Sequence, residues 1–173
     1  YTDFLTKLGK LAHLNLSCCI IKEWEYLGKL KDAKTIDLSG TRIDNYHFLE
    51  KIIGLRSLDL TGTQLRDENF KEKNRDLTFL KLSGNQIEDI SFLEKTSKLS
   101  SLNLNNNKIR HANLIGNLNE LNTLYINNNH GIMDWSFLNN LSGLRRLDIS
   151  DNNVSDWRFL KNIQAVQILF ELK

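Results

Sequence analysis

Histidines and carboxylates are the side chains of this chain that could ligate a metal ion, and their spacing does not favour a metal site. His13, His47, His111 and His130 lie far apart in the sequence, without a carboxylate or thiol at the spacing that metal sites use. The sequence also lacks a Gly-rich phosphate loop and a residue set that would predict a hydrolytic triad. We therefore expect no cofactor, no metal ion and no enzymatic activity.

Thiol chemistry is limited to Cys18 and Cys19, which are the only cysteines and are adjacent, so they cannot join distant segments. Cys18 is predicted to be exposed on a turn, where no neighbouring residue is expected to activate its thiol. Cys19 is predicted to be buried in a column of small polar residues. A chain without long-range disulfides favours a reducing cytoplasm or a bacterial origin.

Two carboxylates, Asp37 and Asp59, occupy equivalent positions 22 residues apart. They are predicted to lie about 5 Å from each other on adjacent strands. Such a pair could bind a cation or a basic partner. The alternative, which we favour, is that both carboxylates are solvated and that Lys34, Arg56 and Lys81 reduce their repulsion.

A repeated Leu-x-x-Leu-x-Leu block is the element that positions these side chains. Apolar and polar residues alternate within each block, which predicts a short strand with one buried and one solvated face. Identical connections make all strands run in the same direction, so they form one parallel sheet. Its open face is the concave surface that solenoid proteins use for binding. The blocks recur every 22 residues, with one interval of 23, and begin at Leu11, Ala33, Leu55, Leu77, Leu99, Leu121 and Leu144.

A small polar residue follows the last apolar residue of each block by three positions. An asparagine there can donate and accept hydrogen bonds at once, which satisfies buried backbone groups of neighbouring turns. Threonine and cysteine do so less completely, so the first three repeats are predicted to be bonded more weakly. The extra residue at His130–Gly131 explains the single longer interval and displaces Ile132. The polar column consists of Cys19, Thr41, Thr63, Asn85, Asn107, Asn129 and Asn152.

The remaining residues of each repeat return along the opposite, convex side. Roughly ten residues leave room for a turn or two of 3₁₀-helix or short α-helix. The third repeat departs from this pattern, because residues 67–76 keep only Phe70 of the apolar set. A looser and highly charged convex side is predicted there.

The complete repeat unit is clearest at residues 77–93, which read Leu-x-x-Leu-x-Leu-x-x-Asn-x-Ile-x-Asp-Ile-x-Phe-Leu. It resembles the 22-residue class of leucine-rich repeats of bacterial internalins and of the regulatory subunit of protein phosphatase 1. The resemblance implies an α/β solenoid, a leucine-rich-repeat arc with one parallel β-sheet on the concave face and short 3₁₀ or helical segments on the convex face. Residues 1–173 are then a single domain of about eight repeats that begins and ends within a repeat. No contact motif of either family is visible, so the resemblance assigns no site residue.

Candidate binding residues lie on the predicted concave face. Most outward positions carry small polar residues, whereas Phe79 and Tyr125 are large aromatics that do not contribute to the core. Tyr and Arg are also the types most enriched at binding hot spots. An alternative is that Asp148 simply neutralises Arg146 on a solvated face. The predicted partner-binding patch consists of Phe79, Lys81, Tyr125, Arg145, Arg146 and Asp148.

Composition restricts the partners. A net charge of +2, from 23 basic and 21 acidic residues, gives no electrostatic reason to expect nucleic acid binding. No apolar run has the length of a membrane span, so membrane insertion is not expected. Ile168 and Phe170 are predicted to face the core in a last strand, whose edge is expected either to pair with another copy of the chain or to be covered by further sequence of a longer protein.

These patterns predict a non-catalytic module that binds another protein through its concave β-sheet face. One alternative is a structural spacer within a larger protein, such as a bacterial surface protein. Another is carbohydrate binding, for which the face offers only the aromatics Phe79 and Tyr125. A cytoplasmic location is favoured, and the bacterial cell surface or secretion is the alternative.

Overall fold

The computed structural model describes residues 10–66, 75–163 and 167–169. They form an eight-stranded sheet whose strands follow one another in chain order, and every neighbouring pair is parallel. The predicted solenoid with one parallel sheet is therefore confirmed. The strands, three residues each, are β1 His13–Asn15, β2 Thr35–Asp37, β3 Ser57–Asp59, β4 Phe79–Lys81, β5 Ser101–Asn103, β6 Thr123–Tyr125, β7 Arg146–Asp148 and β8 Gln167–Leu169.

Equivalent residues of successive repeats stand side by side because the strands pair without a shift. Leu58 of β3 pairs with Leu80 of β4, for example. The register survives the longer interval, where Leu124 of β6 pairs with Leu147 of β7. Gly131 allows the insertion to lie close to the preceding turn, since an added Cβ would stand only 2.9 Å from the carbonyl oxygen of Ile109. Ile132 remains fully buried, as the sequence predicts.

The core lies between the sheet and the returning segments. The middle residue of each strand from β2 to β7 is at most 1% exposed, whereas Leu14 of β1 is 8% exposed. Full burial of one such leucine contributes roughly 1.5–3 kcal/mol. Repetition of this burial in every turn is what holds the stack together.

Short 3₁₀ segments form the convex side, which confirms the prediction from the length of the return. Several begin two residues after an aspartate that accepts the first backbone N–H, as Asp89 does from Ser91 at 2.9 Å. Trp24 stacks on Phe48 with ring centroids 5.7 Å apart, which joins two neighbouring turns. Phe70 and most of residues 67–76 lie outside the described residues, and so does Phe170. The segments are Trp24–Lys29, His47–Lys51, Ser91–Lys95, Asn113–Asn117, Ser136–Asn140 and Arg158–Lys161.

Each turn that leaves a strand from β1 to β7 has a residue with left-handed backbone at an equivalent position, and the turn after β3 has a second one, Gln64, with a φ of +61°. Gly62 has a φ of +65°, a conformation that costs L-residues roughly 1–2 kcal/mol and glycine almost nothing. Asparagine tolerates it better than most residues, and Asn106 and Asn128 replace glycine in later turns with φ of +57° and +52°. The same column contains Cys18, Gly40, Gly62, Gly84, Asn106, Asn128 and Asp151.

The predicted asparagine ladder is present from Asn85 onwards. Asn107 Nδ2 donates to the carbonyl oxygen of Leu104 in its own turn at 3.0 Å and to that of Leu82 in the preceding turn at 2.9 Å. Its Oδ1 accepts the backbone N–H of Ile87 at 3.1 Å. In contrast, the Thr41 hydroxyl donates to Leu38 within its own turn, and the Thr63 hydroxyl donates to Leu60 of its own turn and lies 3.4 Å from Asn85 Oδ1 of the next turn. Among the described residues, neither hydroxyl bonds a backbone carbonyl of the preceding turn as the asparagines do. Weaker bonding of the first three repeats stays a prediction.

The prediction that Cys19 is buried is wrong, because its side chain is exposed. Cys19 belongs to the first turn of the described stack, where the adjacent Ile20 is 95% exposed. No described turn precedes it to cover the column at this end. Cys18 is exposed as predicted.

Candidate functional site

Two columns of side chains cover the concave face, one on each side of the buried middle residue of the strands. The burial pattern of β4 shows the alternation, since Leu80 is buried and both Phe79 and Lys81 are exposed. The first-residue column is His13, Thr35, Ser57, Phe79, Ser101, Thr123, Arg146 and Gln167. The third-residue column is Asn15, Asp37, Asp59, Lys81, Asn103, Tyr125, Asp148 and Leu169.

Most of the third-residue column serves the turns rather than a ligand. The Asp37 Oδ1 atom accepts the backbone N–H of Ser39 at 2.9 Å and the Ser39 hydroxyl at 2.7 Å. Asn15, Asp59, Asn103 and Asp148 make the same bond to the backbone N–H two residues later, at 2.9–3.0 Å. Such local bonds are characteristic of Asn and Asp at turns.

A sequence pattern accompanies these bonds, and it is not visible when each column of residues is read by itself. An Asn or Asp is followed two positions later by Ser, Thr or Asn in every case: Asn15/Ser17, Asp37/Ser39, Asp59/Thr61, Asn103/Asn105 and Asp148/Ser150. Lys81 and Tyr125 do not belong to this group. They are the members of the column between β1 and β7 whose side chains do not cap a turn in this way.

Asp37 and Asp59 pair across β2 and β3, as predicted. Lys81 Nζ lies 3.1 Å from Asp59 Oδ2, and the Asn15 amide donates to Asp37 Oδ2 at 3.0 Å. The favoured interpretation of two carboxylates relieved by neighbouring groups is thereby supported for Lys81. In the part of the chain that the structure describes, no group of three or more His, Cys, Asp or Glu side chains could hold a metal ion.

Phe79 is the large apolar side chain that projects from the middle of the concave face, and 52% of it is exposed. Its neighbours in the first-residue column are Ser57 and Ser101, which are too small to shield the ring. Beyond Ser101 the column continues through Thr123 to Arg146. The ring is therefore accessible from the open side of the sheet.

Arg145 and Arg146 line a shallow depression of about 470 Å³ beside β6, β7 and β8. Asn122, Thr123 and Gln167 complete its lining. Both arginines are exposed. Within the described ranges, neither guanidinium has an ion-pair partner. The depression therefore offers two positive charges and neutral polar groups.

Asp148 and Tyr125 stand next to each other, paired across β6 and β7. Tyr125 is half-buried, and Asp148 is 9% exposed. Asp148 Oδ1 accepts the hydroxyl of Ser150 at 2.6 Å and the backbone N–H of Ser150 at 3.0 Å. These hydrogen bonds of Asp148 go to Ser150, and they do not support the alternative in which Asp148 neutralises Arg146. The two aromatic and three basic residues of the predicted patch lie on β4, β6 and β7 or directly beside them.

None of the described helices is long and apolar enough to cross a bilayer.

Comparisons with known proteins agree with this architecture. Family models for leucine-rich repeats match residues 75–121, as two copies, and residues 142–156. No curated protein matches the chain at the sequence level.

Several solved structures superpose on it. An internalin, InlF, from Listeria monocytogenes is 26% identical, with a TM-score of 0.86 over 98% of this chain and 50% of that chain. Internalin C2 from the same organism is 28% identical, with a TM-score of 0.86 over 96% of this chain and 74% of that chain.

A more distant structure is the functional domain of InlJ from Listeria monocytogenes, which is 15% identical. Its TM-score is 0.69 over 97% of this chain and 42% of that chain, and this likeness concerns the fold alone. The chain spans half of the length of InlF. It is a leucine-rich-repeat protein that is structurally close to the Listeria internalins InlF and InlC2.

Proposed function

We propose that this chain is a non-catalytic module that binds another protein through its concave face. Leucine-rich-repeat modules typically mediate protein–protein interaction, and internalin-like folds are usually non-catalytic. The proposed contact residues are Phe79, Lys81, Tyr125, Arg145, Arg146 and Asp148.

The exposure of Phe79 is the observation that carries the proposal. Its ring is 52% exposed and flanked by serines, so it contributes neither to the core nor to a turn. An exposed aromatic of this kind is costly for solubility and useful for binding. Arg145 and Arg146 support the same conclusion, because both are exposed without an ion-pair partner among the described residues.

The remaining members support the patch in different ways. Lys81 keeps 60% of its side chain exposed while it contacts Asp59. Tyr125 is a half-buried aromatic in the same column as Lys81, with Asn103 between them. Asp148 holds the end of β7 next to Tyr125 through its bonds to Ser150, and so orients the patch rather than providing its charge.

A double variant, Tyr125→Ala/Arg146→Ala, tests the proposal against a partner obtained by pull-down with the whole chain. Because neither side chain belongs to the buried core, folding is expected to survive while affinity falls by about tenfold or more. A matched control is Tyr26→Ala/Lys29→Ala, which removes one aromatic ring and one positive charge from the convex side. Unchanged affinity of the concave variant would exclude this patch as the binding site.

A structural spacer is the second candidate, and the share of the InlF chain that this chain covers is the observation in its favour. This chain matches 50% of the InlF chain, so a stretch of repeats of this kind can occupy part of a longer protein.

We also propose that residues 1–173 are one leucine-rich-repeat domain, in line with the unbroken register from β1 to β8. A single cooperative unfolding transition of the whole chain is the expected result.

We also propose that a second copy of this chain is a partner, which would pair through the edge of β8. Leu169 is 47% exposed and Ile168 packs partly against the core at the last strand of the described sheet. Exposed strand edges can pair with another chain. Light scattering over a range of concentrations is expected to detect a dimer, and a constant monomer mass would argue against pairing of this edge.

The proposed compartment is the cytoplasm, with the bacterial cell surface or secretion as the alternative. Two exposed unpaired thiols, Cys18 and Cys19, support a reducing environment. The similarity to proteins of Listeria monocytogenes supports the bacterial alternative. Cell fractionation combined with alkylation of the two thiols would distinguish the compartments.

A further inference from the structure

We propose that the partner segment recognised by this face is extended, crosses the strands from β4 to β7, and places an Asp or Glu side chain about four residues from a large apolar side chain. The carboxylate binds at Arg145 and Arg146, and the apolar side chain packs on Phe79. This inference rests on the proposed function and specifies the chemistry of the partner.

The carboxylate end is defined by the depression beside Arg145 and Arg146. A guanidinium can bind a carboxylate with two parallel hydrogen bonds. Asn122 Oδ1 accepts the Thr123 hydroxyl at 2.9 Å, which leaves the Asn122 amide nitrogen as a donor. The lining residues of the depression are Asn122, Thr123, Arg145, Arg146 and Gln167, with no carboxylate among them. The depression thus favours a negatively charged group.

The apolar end is defined by Phe79, whose ring stands between Ser57 and Ser101 in the same column. Its exposure of 52% leaves a face of the ring available for an aliphatic or aromatic side chain. Asp59 lies beyond this ring, on β3, where Lys81 already contacts it. At β7 two arginines stand near one carboxylate, Asp148, whereas at β2 and β3 the two carboxylates Asp37 and Asp59 are met by Lys81. A carboxylate of the partner is therefore better placed toward β7.

Small side chains form the floor between these two ends. Ser101 of β5 and Thr123 of β6 occupy the column between Phe79 and Arg146, and both are short. A peptide backbone can therefore approach the sheet there. Three strand spacings separate β4 from β7, which is about 14 Å at 4.7–4.9 Å each. An extended segment advances about 3.3 Å per residue, so roughly four residues cover that distance.

Selection from a displayed library of random linear dodecapeptides tests the spacing directly. The whole chain would be used as bait in parallel with two variants, Arg145→Gln/Arg146→Gln and Phe79→Ser. Serine is a suitable replacement because Ser57 and Ser101 occupy the same column in the adjacent strands. The convex variant Tyr26→Ala/Lys29→Ala serves as the matched control.

The expected result is that the unmodified chain and the control select Asp or Glu about four positions from a large apolar residue. The arginine variant should lose the acidic preference, the Phe79 variant should lose the apolar preference, and synthetic peptides should bind each variant about tenfold more weakly. A selected pool with a different spacing, no enriched pattern, or an acidic preference that persists without the arginines would overturn the inference. Tighter binding of a phosphotyrosine peptide than of its glutamate counterpart would overturn the commitment to a carboxylate.

The outcome is separable from that of the proposed function. If Tyr125→Ala/Arg146→Ala abolishes partner binding while the peptide pools lack the acidic and apolar pattern, the concave face remains the binding site and only this inference fails. If no concave substitution changes partner or peptide binding, both proposals fail.

Discussion

The side-chain nitrogen of Asn107 lies 2.9 Å from the carbonyl oxygen of Leu82, which belongs to the preceding turn of the solenoid. Asn85, Asn129 and Asn152 make equivalent bonds to the carbonyl oxygens of Leu60, Leu104 and Ile126, at 2.9–3.0 Å. Each of these oxygens also accepts a bond from the polar side chain of its own turn, as Leu82 does from Asn85 at 2.9 Å, so the ladder supplies a second bond that crosses between turns. The ladder therefore links turns that hydrophobic packing alone would leave free to slide.

Replacement of the ladder residue in Asn107→Ala should destabilise the domain by about 1–3 kcal/mol, because it removes the acceptor of the buried Ile87 N–H and one of the two side-chain bonds to the carbonyl oxygens of Leu82 and Leu104. The matched control is Asn119→Ala, at an exposed position on the return segment, where a change of about 0.5 kcal/mol or less is expected. Chemical denaturation of both variants measures the difference. Equal stabilities would contradict the ladder assignment.

Left-handed backbone in the turns should make Gly62→Ala destabilising even though space is available. No heavy atom lies within 4 Å of a Cβ added at Gly62, so the cost comes from its φ of +65° alone and should be about 1–2 kcal/mol. Gly143→Ala is the control, because its nearest contacts would be an ordinary 3.7 Å and its φ is not positive. We expect Gly143→Ala to be neutral or to stabilise by about 0.4–1 kcal/mol. Thermal unfolding that gives both variants the same Tm would contradict this explanation.

Tyr46 should make stability depend on pH in the alkaline range. The Tyr46 hydroxyl donates to the Thr63 carbonyl oxygen at 3.0 Å. Burial raises the pKa of Tyr46 from 10.0 to about 12. The hydrogen bond with the Thr63 side chain lowers this pKa and the charge of Asp44 raises it, and both effects are smaller than that of burial. Because the pKa in the folded state lies above that of the unfolded state, the contribution is complete below pH 10 and is lost as the pH rises toward 12. Tyr46→Phe should flatten this decline in denaturation experiments. An unchanged decline in Tyr46→Phe would show that other groups cause it.

The role assigned to Asp148 predicts a difference between two substitutions. Asn can still accept the Ser150 backbone N–H, so Asp148→Asn should change stability by about 0.5 kcal/mol or less. Asp148→Ala removes the acceptor at a position that is 9% exposed and should cost about 1–3 kcal/mol. Denaturation curves for the two variants provide the measurement. Equal losses would indicate that the charge of Asp148, rather than its hydrogen bonds, is what matters.

Position in the repeat was sufficient to predict most of the architecture. Leu58, Leu80 and Leu102 could be assigned to the buried face because alternation in a strand has a period of two residues. Ile132 could be assigned to the core across the insertion because the apolar pattern resumed after it. Cys19 could not be assigned correctly, since its burial depends on whether a neighbouring turn covers it and not on its place in the column.

The candidate site was predictable only in part. Phe79 and the arginines stood out because their side chains interrupt columns of small polar residues. The Asp148 hydrogen bonds to Ser150 and the Tyr46 bond to Thr63, which lies 17 residues away, were not anticipated. Polar side chains have several possible partners in a sequence, and only the folded backbone brings one of them within bonding distance.

Sequence by itself determined the period, the single parallel sheet and the residues of its core, because burial of leucine every 22 residues depends on composition and spacing alone. The tertiary structure decided which polar side chains are engaged in local hydrogen bonds. The Oδ1 atoms of Asp37 and Asp148 accept hydrogen bonds from Ser39 and Ser150, which the sequence alone did not indicate. Arg145 and Arg146 have no ion-pair partner among the described residues, and the other residues that line their depression are Asn122, Thr123 and Gln167.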